Sequence, residues 1–317
     1  MIKVITYSPA HTIVPTYECF NRCSYCNFRV DPGADTWMTI DRATQILAAL
    51  QDKNICEILI LSGEVHPQSS RRPAWLDRIY DLGNLALNMG FLPHTNAGPL
   101  SYDEMARLAS VNVSMGLMLE SLDPALLKGV HRRAPSKLPA IRLEQLNWAG
   151  ELQIPFTTGL LLGIGEAETD WQNSLQAIAD IQIRWGHIQE VILQPYSPGS
   201  QESFAGVGFN IHQLPRVIQL ARQILPADIA IQIPPNLISN PDLLLACLNA
   251  GASDLGGIVP KDEVNPDYHH LQLTALTGLL ADAGWDLQPR LPVYPEREYL
   301  LSPNLIDRLS RYRTSKL

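Results

Sequence analysis

The chain is short of several things, and each shortage excludes a class. No stretch of its 317 residues approaches the roughly eighteen uninterrupted apolar residues of a membrane helix. The opening Met1-Ile2-Lys3-Val4 lacks the charged and apolar regions of a secretory signal. Five cysteines, three of them in one short loop, cannot build a secreted disulfide framework. There is no excess of basic charge: 24 basic against 32 acidic side chains leave a net charge of −8, which argues against a nucleic-acid surface. No repeat period marks a solenoid, and no composition break or long linker divides the chain. No G-x-G-x-x-G follows an early strand, which weakens a doubly wound dinucleotide-binding sheet. These absences predict a reduced, cytoplasmic protein without membrane or nucleic-acid partners. Hydrophobic residues make up 46%, enough for a sizeable core.

Apolar runs of four to eight residues alternate with longer amphipathic stretches, the pattern of βα units on a parallel sheet. Strands are expected at Thr12–Thr16, Glu57–Leu61, Phe91–Thr95, Val111–Leu119, Phe156–Leu162, Glu190–Gln194, Ala230–Ile233 and Ser253–Leu255. Thr39 offers an N-cap, and Ser101–Glu104 and Thr169–Gln172 read as capping boxes. Further helices are expected at Trp75–Met89, Ile141–Ala149, Gln213–Ile224, Leu243–Ala250 and Leu271–Ala283. Eight such units in one domain over 1–317 predict a (β/α)8 TIM-like barrel, with 290–317 as a C-terminal tail packed on it.

Chemistry concentrates in Cys19-Phe20-Asn21-Arg22-Cys23-Ser24-Tyr25-Cys26. Three thiolates in one loop suit zinc or an iron–sulfur cluster. A closed zinc site wants four ligands, and the nearest histidines, His11 and His66, stand at no paired spacing. Both readings remain open on the loop alone: a four-iron cluster with one iron vacant, or a zinc-stabilised binding protein. The isolated Cys56 and Cys247 read as buried core residues. In a barrel, catalytic groups collect at strand C-termini. There the chain places Ser62-Gly63-Glu64, then His94-Thr95-Asn96-Ala97-Gly98, then Glu120 and a glycine-spaced turn at Gly163–Glu166.

C-x-x-x-C-x-aromatic-C after the first strand resembles the signature of radical S-adenosylmethionine (SAM) enzymes, matched by Cys19, Cys23, Tyr25 and Cys26. Ser62-Gly63-Glu64 and Gly159–Glu166 are similar to that family's second and third motifs, and Glu120 and Arg142 stand at the places of SAM contacts in its biotin-synthase-like branch. A finer resemblance is to the family of small subunits of 7,8-didemethyl-8-hydroxy-5-deazariboflavin synthase. It is carried by Val130–Lys137, Ile154–Gly159, Pro234–Leu237 and Arg290–Glu296. The chain departs from that pattern at Leu255-Gly256-Gly257 and Gln194-Pro195-Tyr196.

The resemblance implies a radical SAM barrel with a [4Fe-4S] cluster on Cys19, Cys23 and Cys26. It implies SAM held by Tyr25, Ser62, Gly63, Glu64, Asn96, Glu120, Arg142 and the Gly163 turn. It implies a substrate joining a hydroxybenzyl group, from tyrosine, to a ribityl-substituted pyrimidine, and a radical SAM lyase activity that closes the deazaflavin ring. Implied partners are a companion radical SAM subunit that makes the adduct and an electron donor such as ferredoxin or flavodoxin. His131, whose free pKa lies near neutrality, is a candidate catalytic proton carrier. His94, Asn96, Thr158 and Asn236 are candidate substrate contacts by position. The alternative within enzymes is another biotin-synthase-like radical SAM activity, of the menaquinone-pathway or hydrogenase-maturation type.

Overall fold

A computed structural model describes residues 3–201, 203–259, 263 and 272–316. Strands and helices alternate along the described chain as β1 (Lys3–Ile13), α1 (Ile40–Ala48), β2 (Glu57–Leu61), α2 (Arg72–Asn88), β3 (Leu92–Asn96), α3 (Tyr102–Ala109) and β4 (Ser114–Gly116). They continue as α4 (Pro139–Glu151), β5 (Phe156–Leu162), α5 (Glu168–Trp185), β6 (Ile188–Pro195), α6 (Leu214–Ile224), β7 (Ala230–Gln232) and α7 (Pro241–Ala250). The last elements are β8 (Asp254–Ile258), α8 (Leu273–Asp282), β9 (Trp285–Pro289) and α9 (Pro303–Lys316). Strands β1 to β8 pair in parallel in chain order, and β1 also pairs with both β2 and β8, so the sheet closes into the expected eight-stranded barrel.

Closure explains the composition of the strands. Each wall strand is covered by a helix outside and by packed side chains inside, and all seven residues of β5 are buried. The main core gathers Ile58, Ile60 and Phe156 from the strands with Leu47, Trp75 and Ile79 from the helices. Thr39 caps α1, its hydroxyl accepting the Arg42 N–H, and Ser101 and Glu104 form a reciprocal capping box at α3. Cys56 and Cys247 are both buried. Among the described residues no helix is long and apolar enough to cross a membrane.

Several boundaries correct the expectation. The first strand begins at Lys3, well before Thr12, because its N-terminal half lies along β9 and its middle along β8, pairings with distant segments that local alternation does not reveal. Pro9 is accommodated just beyond a register shift at Thr6/Ser8. Strand four is regular only over Ser114–Gly116, although Leu117 and Glu120 still donate their N–H groups to Thr157 and Gly159 carbonyls. The cap of α5 is Ala167 rather than Thr169: Asp170 accepts the Ala167 N–H at 2.8 Å. Leu271, where the eighth helix was expected to start, lies outside the described residues.

The segment after Leu291 includes α9 and folds under the barrel. Val293, Leu305, Leu309 and Tyr312 pack against Cys56, Leu92 and Val113, at or just before the N-terminal ends of β2 to β4. Burying each large aliphatic group there is worth roughly 1.5–3 kcal/mol. The opposite, C-terminal end is left for the site.

Candidate active site

The cysteine loop leaves β1 and is pinned by backbone bonds on two sides. Phe20 donates its N–H to Glu64 O at 3.0 Å, and Gly63 donates to Thr16 O at 2.8 Å, docking the loop on the end of β2. Arg22 and Ser24 donate to Arg133 O and Val130 O at 2.7 and 3.0 Å, docking it on the segment before α4. A side chain at Gly63 would place its Cβ 2.2 Å from Glu18 O, so the approach of β2 to the loop requires glycine. None of the three cysteines is in a disulfide. Burial, with Glu64 nearby, pushes the Cys19 thiol up to about 11. Burial, against the pull of Lys137, pushes Cys23 up to about 12.

A cationic centre is what would hold such thiols as thiolates. A closed tetrahedral zinc site wants four ligands, and the loop supplies three cysteines. The donor set is soft, threefold and drawn from one loop, which fits a larger iron–sulfur cluster.

Beside Cys26 opens a cavity of about 260 Å3 lined by Tyr25, Ser62, Glu64, Glu120, Lys137 and Arg142, among others. Its charges are balanced by design of position. Lys137 Nζ reaches Glu120 Oε1 at 2.5 Å, and Arg142 stands 3.7 Å from Glu64 and 3.9 Å from Glu120. Burial alone would raise the Glu120 carboxyl, but Lys137 and Arg142 together bring it below its ordinary value. Glu120 also holds a left-handed backbone at φ 67°, rare for a residue with a side chain, which turns its carboxylate into the cavity wall. Gly98, at φ 76°, leaves room for Glu64: a Cβ there would fall 2.3 Å from the Glu64 carboxyl carbon.

A second cavity of about 230 Å3 runs down the barrel axis and shares Leu61, Asn96, Met118, Gln194 and Leu237 with the first. Asn96 therefore sits at the junction, and Asn236 lines the central cavity.

Other expected residues are placed differently. His131 does not line either cavity; it stands behind Tyr25, Nε2 3.0 Å from the phenol oxygen, and burial pushes it down to about 4, so the ring is neutral near pH 7. The Gly163 N–H is held by Glu166 Oε1 at 2.5 Å and turns away from the first cavity. Thr158 is fully buried with a hydroxyl that has no partner among the described residues, and its neighbour Thr157 is the one that faces the central cavity. Alternation along β5 decides this, since successive side chains face opposite sides.

With this geometry in view, comparison with known proteins is informative. The radical SAM superfamily profile matches residues 13–178. Curated relatives are 65% identical over 98% of this chain and 91% of the relative (Trichormus variabilis), and 58% identical over 99% and 98% (Trichodesmium erythraeum). Each is named 7,8-didemethyl-8-hydroxy-5-deazariboflavin synthase. The chain belongs to the radical SAM superfamily, in the deazariboflavin synthase family.

Solved structures agree on the fold. The FeFe-hydrogenase maturase HydG from Carboxydothermus hydrogenoformans superposes with a TM-score of 0.77 at 18% identity, covering 98% of this chain and 77% of that one. Methylornithine synthase superposes at 0.68 and 15% identity, covering 90% and 84%. As a member of this superfamily the chain uses a [4Fe-4S] cluster and SAM.

Three parts of the site escaped the sequence reading. Lys137 stood in a stretch quoted only for resemblance. Asn21 donates to Glu64 Oε2 at 2.9 Å and accepts the Ser136 N–H at 3.2 Å, tying the cysteine loop to both walls of the cavity. The third is a buried ion cluster at the barrel floor. There Arg290 binds Asp254 Oδ2 at 2.5 Å and Glu190 Oε1 at 2.7 Å. Its advance signals were the acidic residues Glu190 and Asp254 within strand segments and the Arg290–Glu296 stretch.

Proposed function

We infer that the chain is a radical SAM lyase that closes the deazaflavin ring. It converts 5-amino-5-(4-hydroxybenzyl)-6-(D-ribitylimino)-5,6-dihydrouracil and SAM to 7,8-didemethyl-8-hydroxy-5-deazariboflavin, 5′-deoxyadenosine, methionine and ammonium. The observation that carries this reading is near-full-length identity of 55–65% to synthases of that name, on a barrel whose cysteine loop opens onto one cavity that adjoins another.

With a cluster on Cys19, Cys23 and Cys26 and SAM beside it, the pair supplies one-electron cleavage of a sulfonium and hence a hydrogen-abstracting radical. The chain's own residues bind, orient and exclude water. Glu64, kept in place by Asn21 and Gly98, receives the amino end of SAM. Glu120 lies beside it with Lys137 as its counter-charge. Arg142 donates to Met118 O and Ser136 O and is 2% exposed, so it braces the wall while its charge favours a carboxylate. Tyr25, oriented by neutral His131, packs against the adenine, and Ser62, Gly63 and Asn96 frame the rest.

The reaction also needs a reductant and a supply of adduct. An acidic one-electron donor such as ferredoxin or flavodoxin fits the basic surface by Cys23 and Cys26, where Arg22, Arg29, Arg132 and Arg133 cluster on a chain of net charge −8. A companion radical SAM subunit supplies the adduct. The test is anaerobic incubation with SAM, reductant and adduct. A fluorescent deazaflavin with one 5′-deoxyadenosine supports the assignment; 5′-deoxyadenosine without deazaflavin overturns it.

A further inference from the structure

The two cavities meet at a rim formed by Leu61, Asn96, Met118, Gln194 and Leu237. If SAM occupies the first, the carbon that loses hydrogen must lie at that rim, and the rest of the substrate must extend down the second. Register gives the depth. Glu57 opens β2 and Leu61 ends it, four residues apart, which is about 13 Å along a strand. The rim offers mostly apolar walls suited to an aromatic ring. The floor offers Glu57, Glu190, Gln232, His94 and Arg290.

These floor groups are buried but not all satisfied. His94 is 8% exposed; its Nδ1 bonds Ser114 Oγ at 2.7 Å, and Nε2 has no hydrogen-bond partner among the described residues. A Cβ at Gly116 would stand 2.9 Å from that nitrogen, so glycine keeps the space beside it open. Burial pushes His94 down to about 3, leaving a neutral ring. Facing the cavity, that ring nitrogen is free to exchange a hydrogen bond with a ligand. Glu57 is 7% exposed and also faces the cavity. Glu190 is held rigidly by Arg290, by Tyr294 Oη at 3.1 Å and by Thr157 Oγ1 at 3.2 Å, with the Gln232 amide turned toward it at 3.1 Å.

The ligand class follows from charge. Arg290 is already engaged by Asp254 at 2.5 Å and Glu190 at 2.7 Å, so the floor holds no spare cation for an anionic ligand. Burial raises the Glu57 and Glu190 carboxyls toward the neutral form, which offers a cationic ligand no counter-charge. What remains is a neutral group that both donates and accepts hydrogen bonds.

We propose that the barrel floor is a polyol subsite in which His94, Glu57 and Gln232 read the hydroxyls of the ribityl tail, while Arg290 and Glu190 form its rigid base. This rests on the activity inferred above. It places the hydroxyphenyl ring toward the rim and assigns the floor residues to tail specificity rather than to the radical step.

The test uses the reconstituted enzyme with the ribityl adduct and with an adduct carrying a plain alkyl tail. Wild type is expected to prefer the ribityl adduct in kcat/KM by at least about tenfold, since a site built to bind hydroxyls rejects an analogue lacking them. E57Q should raise KM for the ribityl adduct with little change in kcat, and erode the preference. Equal loss on both adducts, or no loss on either, overturns the proposal. A measurement without any variant guards against misfolding: the ribityl pyrimidine alone should inhibit wild type at least about tenfold better than the same pyrimidine with an alkyl tail, and equal inhibition overturns the subsite. Failure of the activity assignment is distinguishable, because wild type would then make no deazaflavin from either adduct.

Discussion

Replacing Lys137 with methionine removes the nearest cation from a carboxylate that cannot reach bulk water. The side chains of Lys137 and Glu120 are 13% and 9% exposed, and their charged atoms lie 2.5 Å apart. At an effective dielectric constant of about 20 the attraction is about 7 kcal/mol before the desolvation of both groups is subtracted. Breaking a buried pair from one side typically costs about 3–5 kcal/mol. Arg142, 3.9 Å away, still offers Glu120 about 4 kcal/mol on the same scale, so the loss for K137M should fall near the lower end, about 3 kcal/mol. The assay is anaerobic urea unfolding of the cluster-free protein, read as a shift in midpoint at constant slope. The double variant K137M/E120Q removes the stranded charge and should recover about half of the loss, a coupling that strict additivity would not produce. A K137M change within about 0.5 kcal/mol, or an additive double variant, would refute the electrostatic account of this cavity.

Three further outcomes follow from the same structure. Gly98→Ala should weaken SAM binding at least about tenfold by displacing Glu64, since the added Cβ meets its carboxyl carbon and φ 76° is strained for alanine; equilibrium binding checks it, and wild-type affinity would remove Gly98 from the argument. Cys23→Ala should abolish the visible iron–sulfur absorption and SAM cleavage, while Cys56→Ala should keep both; loss of iron in the second variant would overturn its reading as a core residue. Burial, with Asp254 and Glu57 nearby and against the pull of Arg290, pushes Glu190 up to about 8 from an ordinary 4.5. The folded state thus keeps a proton there that the unfolded chain releases, so this contribution to stability is full below about pH 4.5 and is lost as pH rises through about 8. E190Q should flatten unfolding free energy against pH across that window, and an unchanged slope would count against a protonated Glu190.

Much of the fold was legible because the barrel repeats one physical pattern. Residues Phe156–Leu162 read Phe-Thr-Thr-Gly-Leu-Leu-Leu, a short uncharged run with β-branched and apolar residues, and such a run, bounded by Pro155 and Gly163, has few alternatives to a buried strand. Thr39 and the Ser101–Glu104 box were readable because capping depends on residues within one turn. β1 and β9 were hidden for the opposite reason: Tyr-Ser-Pro-Ala-His and Trp-Asp-Leu-Gln-Pro carry weak strand signals, and only their pairing with each other and with β8 makes them strands.

The site divides in the same way. Three thiols in eight residues, a Gly-Glu at the end of β2 and an acid at the end of β4 are local chemistry, and the sequence alone determined that this protein binds a soft metal centre facing a barrel mouth. Tertiary structure alone decided which groups meet. It brought Lys137 to Glu120, put His131 behind Tyr25 instead of before the ligand, turned Thr157 inward and Thr158 outward, and carried Arg290 from beyond the last strand to Glu190 and Asp254. The physical reason is range. Caps, turns and thiol spacing are set by neighbours a few residues apart, whereas a buried charge takes its partner from whatever the closed barrel places within a few ångströms, here up to 100 residues away.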